Sequence, residues 1–423
     1  MATYYIDYHH GDNSLDGLSP DRARKDYLDL PVKPGDSVLF RRGNFIREML
    51  KSLPGEPAAP ITYGAYGEGE KPIFCGSMDI TDEKLWEKVG ENIWKYSGHI
   101  PTETGNMIYN GGALFGTLRF ERDELSSQGD FYDSRFGITH PAAEGYCKFK
   151  DTGEAGDVLI YSAENPGKYY SSIECAPFLN GRLAIAEHDT VFADLCFVNS
   201  GVHGICGSGI NIVIRDCEFK NIGGAVIRKE RRLRFGNGVE FWEICEGCTV
   251  EGCIFDNIYD SGITHQGKVN ETLPKNNTFD NNIFHRCGMA AYECRDLIPQ
   301  NTSFSYNVCD TAGEGFSALG ENMPRFSEIW PLPMGHHVFI WRIRNKTDGS
   351  SLTIKGNKFL SAKYGGAIFA LGVPEMYSDY EVEDNGYSES EMLLTAYLTD
   401  KEYKTLDDFK KAYGMDTTGY IIK

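Results

Sequence analysis

Two short segments place glutamates where a pair of carboxylates can do acid–base chemistry. Gly238-Val239-Glu240-Phe241-Trp242 and Ala291-Tyr292-Glu293-Cys294-Arg295 share one pattern, with the acid flanked by apolar residues and a large side chain two positions later. Between them, Gly262-Ile263-Thr264-His265-Gln266 repeats the pattern with threonine at the acidic position. Side chains alternate along an extended strand. If Val239, Ile263 and Tyr292 point inward, Glu240, Thr264 and Glu293 form one outward column, and Trp242, Gln266 and Arg295 form the next. Strands two spacings apart lie roughly 9–10 Å apart at the backbone. Inverting glycosidic hydrolysis uses carboxyls about 6.5–9.5 Å apart, which leaves room for a water. Retention, at about 5–5.5 Å, would need carboxylates on adjacent strands or on a diagonal. The spacing therefore suits inversion, with one carboxyl protonating the leaving oxygen and the other activating water.

Other residues compete for roles at the same place. Asp260 and Glu314 lie five residues beyond Phe255 and Cys309, at the turn entering the same face, with Met289 between them. A pair mixing Asp260 with Glu240 or Glu293 fits equally well. His265 has inward parity, where a histidine belongs to the core. A slip at the strand end would bring it out as an acid–base group. Strand carboxylates are ordinarily just solvated. What distinguishes this group is the convergence of Glu240, Glu293, the Arg295 guanidinium, Gln266 and Trp242, whose ring can stack on a sugar.

Two loops are expected to wall the face. The basic run 228–234 ends in Arg234. It reads either as a solvated loop or as a binder of carboxylate or sulfate. The segment 320–340 contributes Trp330 and His336, and insertions in repeat proteins often lie on the binding face. His336-His337 and the Cys245, Cys248, Cys253 cluster lack the further ligands of a zinc site, and no acidic calcium cluster has suitable spacing. Neither a metal nor another cofactor is expected.

The elements that must position these residues appear as a repeat. Phe197, Phe219, Phe255, Phe284, Cys309 and Phe359 end similar short segments, at steps of 22, 36, 29, 25 and 50 residues. A base period in the twenties with insertions marks a solenoid whose coils each carry short strands. The Phe positions predict an internal stack, and the preceding Cys and Asn positions (Cys217, Cys253, Asn282, Asn307, Asn357) a ladder at a turn. The step of 50 hides either one coil with a large loop or two coils. Gly315-Phe316-Ser317-Ala318-Leu319 is expected as the next strand of the acidic face. The fold class is all-β, a right-handed parallel β-helix with a β-rich insertion and a short C-terminal helical cap. Entry coils are assigned to 1–76, an elaboration packed on them to 77–180, the main coils to 181–375 and the cap to 376–423. Thr405 followed by Leu406, Phe409, Tyr413 and Gly414 predicts the capping helix.

Bulk properties narrow the function. The 423 residues are too many for an ordinary single core. The 47 glycines favour many tight turns over long helices. A net charge of −19 repels phosphate backbones and anionic membranes, so neither nucleic acid nor a membrane is an expected partner, while neutral sugar is compatible. No run approaches the roughly 18 apolar residues of a membrane span. The start lacks a basic and then apolar leader. The expected location is cytoplasmic, or secreted or periplasmic if a leader has been removed. Most of the cysteines sit inside strand repeats and read as small buried apolar residues. Homo-oligomerisation is left open.

The stretches Tyr4–Pro20, Pro34–Gly43 and Tyr63-Gly64-Ala65-Tyr66-Gly67 resemble the entry coils of carbohydrate-active right-handed β-helix proteins, the group of glycoside hydrolases and polysaccharide lyases. Phe235–Trp242 and Tyr259–Gln266 resemble segments of the same group. The resemblance covers most of the chain outside 77–180. It implies a β-helix acting on an oligosaccharide or polysaccharide and assigns no catalytic residue. Three readings follow. The first is an inverting glycoside hydrolase using Glu240, Asp260 and Glu293, with His265 as a further candidate. The second is a polysaccharide lyase using Lys229, Arg234 or Arg295 against a uronate. The third is a carbohydrate-binding solenoid that turns nothing over.

Overall fold

The computed structural model describes residues 1–136, 156–178, 181–266, 272–319, 335–341, 343, 348–362, 366–370, 379–388 and 405–423. Short strands carry the chain through three parallel sheets in a fixed order. One circuit runs Thr249–Glu251 in sheet A, Ile254–Ile258 in sheet B and Ser261–Gln266 in sheet C, then returns to sheet A at Thr278–Asp280. Among the described residues, repetition gives ten strands in A, ten in B and seven in C. No helix among the described residues is long and apolar enough to cross a membrane.

The corners explain why the sequence can turn so often. The residue leaving sheet A is left-handed in successive circuits: Asp216, Gly252, Asn281, Tyr306, Gly356 and Asp384 all have φ between 53° and 67°. Asn, Asp and Gly tolerate that conformation best. The next residue points inward, and there the expected ladder forms. Asn282 Nδ2 donates to Asn307 Oδ1, Asn307 to Asn357, Asn357 to Asn385, and Asn385 to Asp416 Oδ2, at 3.2, 3.0, 3.0 and 3.2 Å. The oxygen of Asn357 also accepts the Asn307 backbone N–H at 2.9 Å. Asn357→Leu would strand the Asn307 backbone N–H and one of its two amide hydrogens in the interior, the other keeping its bond to Phe279 O. A destabilisation of about 3 kcal/mol is expected in urea unfolding, and an unchanged midpoint would show that the ladder does not bear on stability.

Inside the circuits, Phe74, Phe197, Phe219, Phe255 and Phe284 stack at 5.7, 5.4, 4.7 and 4.8 Å between successive rings. Cys309 and then Phe359 continue the column on adjacent strands. The step of 50 residues is therefore one circuit with a large excursion. The eleven cysteines among the described residues are buried and unbridged. The helix Leu406–Tyr413 is capped by Thr405, whose hydroxyl accepts the Asp408 N–H at 3.1 Å, and by left-handed Gly414. It buries Leu406 and Phe409 against the main core.

The described residues between Met78 and Pro177 form two further sheets, with four and five strands, around a separate apolar cluster. The basic run meets this part of the chain. Lys229 pairs with Glu121 at 3.1 Å, and Arg232 pairs with Glu124 while lying 5.5 Å from the Phe120 ring. Its expected alternatives, solvated loop or anion binder, give way to a third: the run clamps the elaboration onto the circuits.

One strand assignment fails. Gly315–Ala318 is a 3-10 helix whose Phe316 N–H donates to Asn257 Oδ1 at 3.0 Å, and it is not a strand of sheet C. The next strand of sheet C is His336–Trp341, paired in parallel with Ala290–Arg295. Gly315 has φ 84°, a backbone conformation that breaks the extended run.

Candidate active site

Sheet C sets the candidate residues by register. Cys206, Glu240, Thr264, Glu293 and Phe339 are successive neighbours across five strands. Trp242, Gln266, Arg295 and Trp341 form the adjacent column. On the opposite face Ile205, Val239, Ile263, Tyr292 and Val338 pack into the core. The two carboxylates therefore share a face with one strand between them, roughly 9–10 Å apart at the backbone. Although the column faces outward from the core of the circuits, both are almost fully buried, Glu240 at 3% exposure and Glu293 at 2%.

Their surroundings differ in sign. Glu240 Oε2 lies 3.0 Å from His203 Nδ1 and accepts a 2.8 Å hydrogen bond from Asn237 Nδ2. Burial alone would raise its pKa. The charge and hydrogen bonding of His203, the Asn237 amide and the more distant Arg295 outweigh burial and hold it below the ordinary glutamate value. Glu293 accepts from the Trp341 indole N–H at 2.6 Å and from the Ser261 hydroxyl at 3.4 Å. Here burial wins and the pKa is raised, although Arg295, Trp341 and Thr264 pull it down. The negative charge of Glu240 adds to the rise. Two carboxyls whose environments push their pKa values apart can work as an acid and a base in one site.

Arg295 lies along the same face. Its Nη1 donates to Gln266 Oε1 at 2.7 Å, and its guanidinium sits 5.3 Å from the Trp341 ring. Trp242 and Gln266 are half-buried beside it. This strip of aromatic, amide and guanidinium groups borders the carboxylates as the alternation predicts.

The other expected residues sit elsewhere. His265 keeps the inward parity: it is fully buried, its Nε2 is 2.7 Å from Tyr292 Oη, and burial pushes its imidazole down to about 3. Its side chain faces the core and not the acidic column, which corrects its inclusion among acid–base candidates. Arg234 is also buried, donating from Nε to Gly224 O at 2.6 Å and from Nη2 to Gly105 O at 3.1 Å, over the Tyr259 ring. It braces the elaboration, so its candidacy as a ligand for sugar acids is corrected too. Glu314 precedes the 3-10 helix and is out of column with Asp260, because His336 N–H bonds to Met289 O where the pairing required Glu314. Asp260 is buried at the corner, and its Oδ2 accepts the Gly236 N–H at 3.0 Å. His336 is stacked on Phe339 and accepts the Gly366 N–H at its Nδ1. Trp330 lies outside the described residues.

His203, Asn237 and Ser261 were not singled out from the sequence. His203 and Ser261 open their strands and Asn237 lies two residues before the strand Val239–Glu246, and the identities His, Asn and Ser carry no common signal. His203, Cys206 and Glu240 bring possible ligand atoms within 4.8 Å of one another. However, His203 Nδ1 accepts the Asn237 backbone N–H at 3.1 Å, and Glu240 Oε2 is already hydrogen-bonded.

No family model and no curated protein matches the chain. Solved structures do. One is a glycoside hydrolase, 10% identical over 93% of this chain and 94% of that one, at a TM-score of 0.47. Another is the GH136 lacto-N-biosidase from Eubacterium ramulus, 14% identical over 99% and 68%, at 0.40. A third is pectate lyase Pel9A, 11% identical over 91% and 79%, at 0.38. Likenesses this distant bear on neither substrate nor mechanism.

Proposed function

We propose that the three sheets close into a right-handed parallel β-helix and that the protein is a glycoside hydrolase, acting by inversion on an oligosaccharide or polysaccharide. The observation that carries this reading is the opposed environment of Glu240 and Glu293 on one face of sheet C. Glu293, kept protonated by burial, gives its proton to the leaving oxygen. Glu240, kept ionised by its donors, takes a proton from the attacking water. Their separation by one intervening strand leaves space for that water. Trp242, Gln266, Arg295 and Trp341 provide the adjoining sugar platform. Asp260 holds the corner through Gly236 rather than acting on substrate. The 78–177 sheets form a separate unit that walls the site, the protein acts in the cytoplasm, and no cofactor takes part.

The test is a screen of the purified protein against neutral and uronate-containing oligosaccharides, with reducing ends and ultraviolet absorbance read together. New reducing ends without absorbance, appearing first as the inverted anomer by NMR, are expected. Absorbance from an unsaturated product would instead identify a lyase. Binding without turnover on every glycan would leave a carbohydrate-binding solenoid.

A further inference from the structure

Thr264 stands between the two carboxylates. Its strand, Ser261–Gln266, pairs on one side with the strand of Glu240 and on the other with that of Glu293, so each neighbour is one strand spacing away, roughly 4.8 Å at the backbone. A threonine carries its oxygen on Cβ, whereas a glutamate carries its carboxylate two carbons further out. The column therefore dips at Thr264, with a carboxylate on either side and a hydroxyl at the floor. Thr264 is fully buried, and no hydrogen bond satisfies its Oγ1. It lies close enough to Glu293 to lower the pKa of that carboxyl, but not where a hydrogen bond is completed. The polar groups around it are engaged: Asn237 with Glu240, Ser261 and Trp341 with Glu293, and Arg295 with Gln266. A buried hydroxyl with nothing to bond costs stability that the methyl of a valine, alike in size and branching, does not. The partner of this hydroxyl is therefore one that comes with the substrate.

We propose that Thr264 holds the attacking water of this site, accepting one of its hydrogens at Oγ1 while Glu240 takes the other. The inference deepens the hydrolase reading and rests on it. With both hydrogens engaged, the water oxygen keeps a lone pair for the anomeric carbon. As the new C–O bond forms, the proton passes to Glu240, at Oε1 because His203 and Asn237 both contact Oε2. The bond to the leaving oxygen breaks as Glu293 protonates it. Serine would keep an oxygen on Cβ at this position, and valine would not.

The test compares Thr264→Val and Thr264→Ser with the wild type on a glycan with an ordinary sugar leaving group and on a nitrophenyl glycoside, together with urea unfolding. Thr264→Val is expected to lose about 10²-fold in kcat on both substrates with KM unchanged, and to unfold at a urea midpoint no lower than that of the wild type. Thr264→Ser should recover most of the rate. A loss that shrinks on the nitrophenyl glycoside would mean that Thr264 acts through the proton of Glu293. A raised KM with kcat kept would make it a ligand of a sugar hydroxyl. A lowered urea midpoint in Thr264→Val would show that the hydroxyl already has a partner in the free protein. Each of these three results overturns the proposal while wild-type turnover leaves the hydrolase reading standing. If the wild type turns over no glycan, the hydrolase reading falls and takes the proposal with it.

Discussion

Glu293→Gln is expected to lower kcat by about 10²–10⁴-fold on a glycan with an ordinary sugar leaving group. The amide keeps the shape and can still meet the Trp341 N–H, but it has no proton to give. The loss should shrink on a nitrophenyl glycoside, whose leaving group departs without protonation. Glu240→Gln should lose as much on both substrates, since water must be activated in either case. This contrast assigns the two roles, and equal losses of Glu293→Gln on both substrates would remove Glu293 from the acid role.

The pH profile carries the same assignment with its sign. The acid must be protonated, so activity falls as pH rises through the raised Glu293 value. The base must be ionised, so activity falls as pH drops through the lowered Glu240 value. Trp341→Phe removes a 2.6 Å donor that favours the Glu293 carboxylate. The basic limb should therefore move to higher pH, and a move to lower pH would contradict the assignment.

Much of this geometry could be read from the residues. Alternation placed Glu240, Thr264 and Glu293 in one column because the three segments keep the same spacing from their inward Val239, Ile263 and Tyr292, and register follows inward residues when one face is buried. The Phe stack and the Asn ladder followed from single residue types at fixed positions. The next strand was misplaced because Gly315-Phe316-Ser317 mimics the pattern of Gly262-Ile263-Thr264, and only the backbone conformation of Gly315 and the Asn257 hydrogen bond to Phe316 separate them. The burial of the carboxylates was not legible, because outward parity on a strand does not say whether another part of the chain covers it. Nor was the role of Arg234, whose acceptors are the backbone carbonyls of Gly105 and Gly224, groups that every residue type possesses. His203 escaped notice because its partner lies 37 residues away in sequence and nothing local to either residue marks the contact.

Two imidazoles inside the circuits make the fold acid-sensitive. His265 is fully buried against Phe279 and Tyr292, and His337 is buried against Phe359. Burial pushes both down to about 3, from an ordinary value of 6.5. For His337 the neighbouring His336 adds to the fall. In the unfolded chain each takes up a proton near its ordinary value, whereas in the folded chain it does not until about 3. Between those limits the unfolded state binds more protons. The stability these neutral rings permit is therefore complete above 6.5 and is lost as pH falls toward 3. Each contributes a slope of about 1.4 kcal/mol per pH unit, so by about pH 5 the pair together costs on the order of 4 kcal/mol. That is a large share of the 5–15 kcal/mol typical of folded proteins. Urea unfolding from pH 7 to 4.5 should show this steep decline. His337→Phe keeps the ring stacked on Phe359 and removes the titration, and His265→Gln leaves a polar partner for Tyr292 Oη. Each variant should flatten the slope by about 1.4 kcal/mol per pH unit, whatever it does to stability at pH 7. A slope equal to that of the wild type in both variants would mean that the acid loss comes from the carboxylates alone.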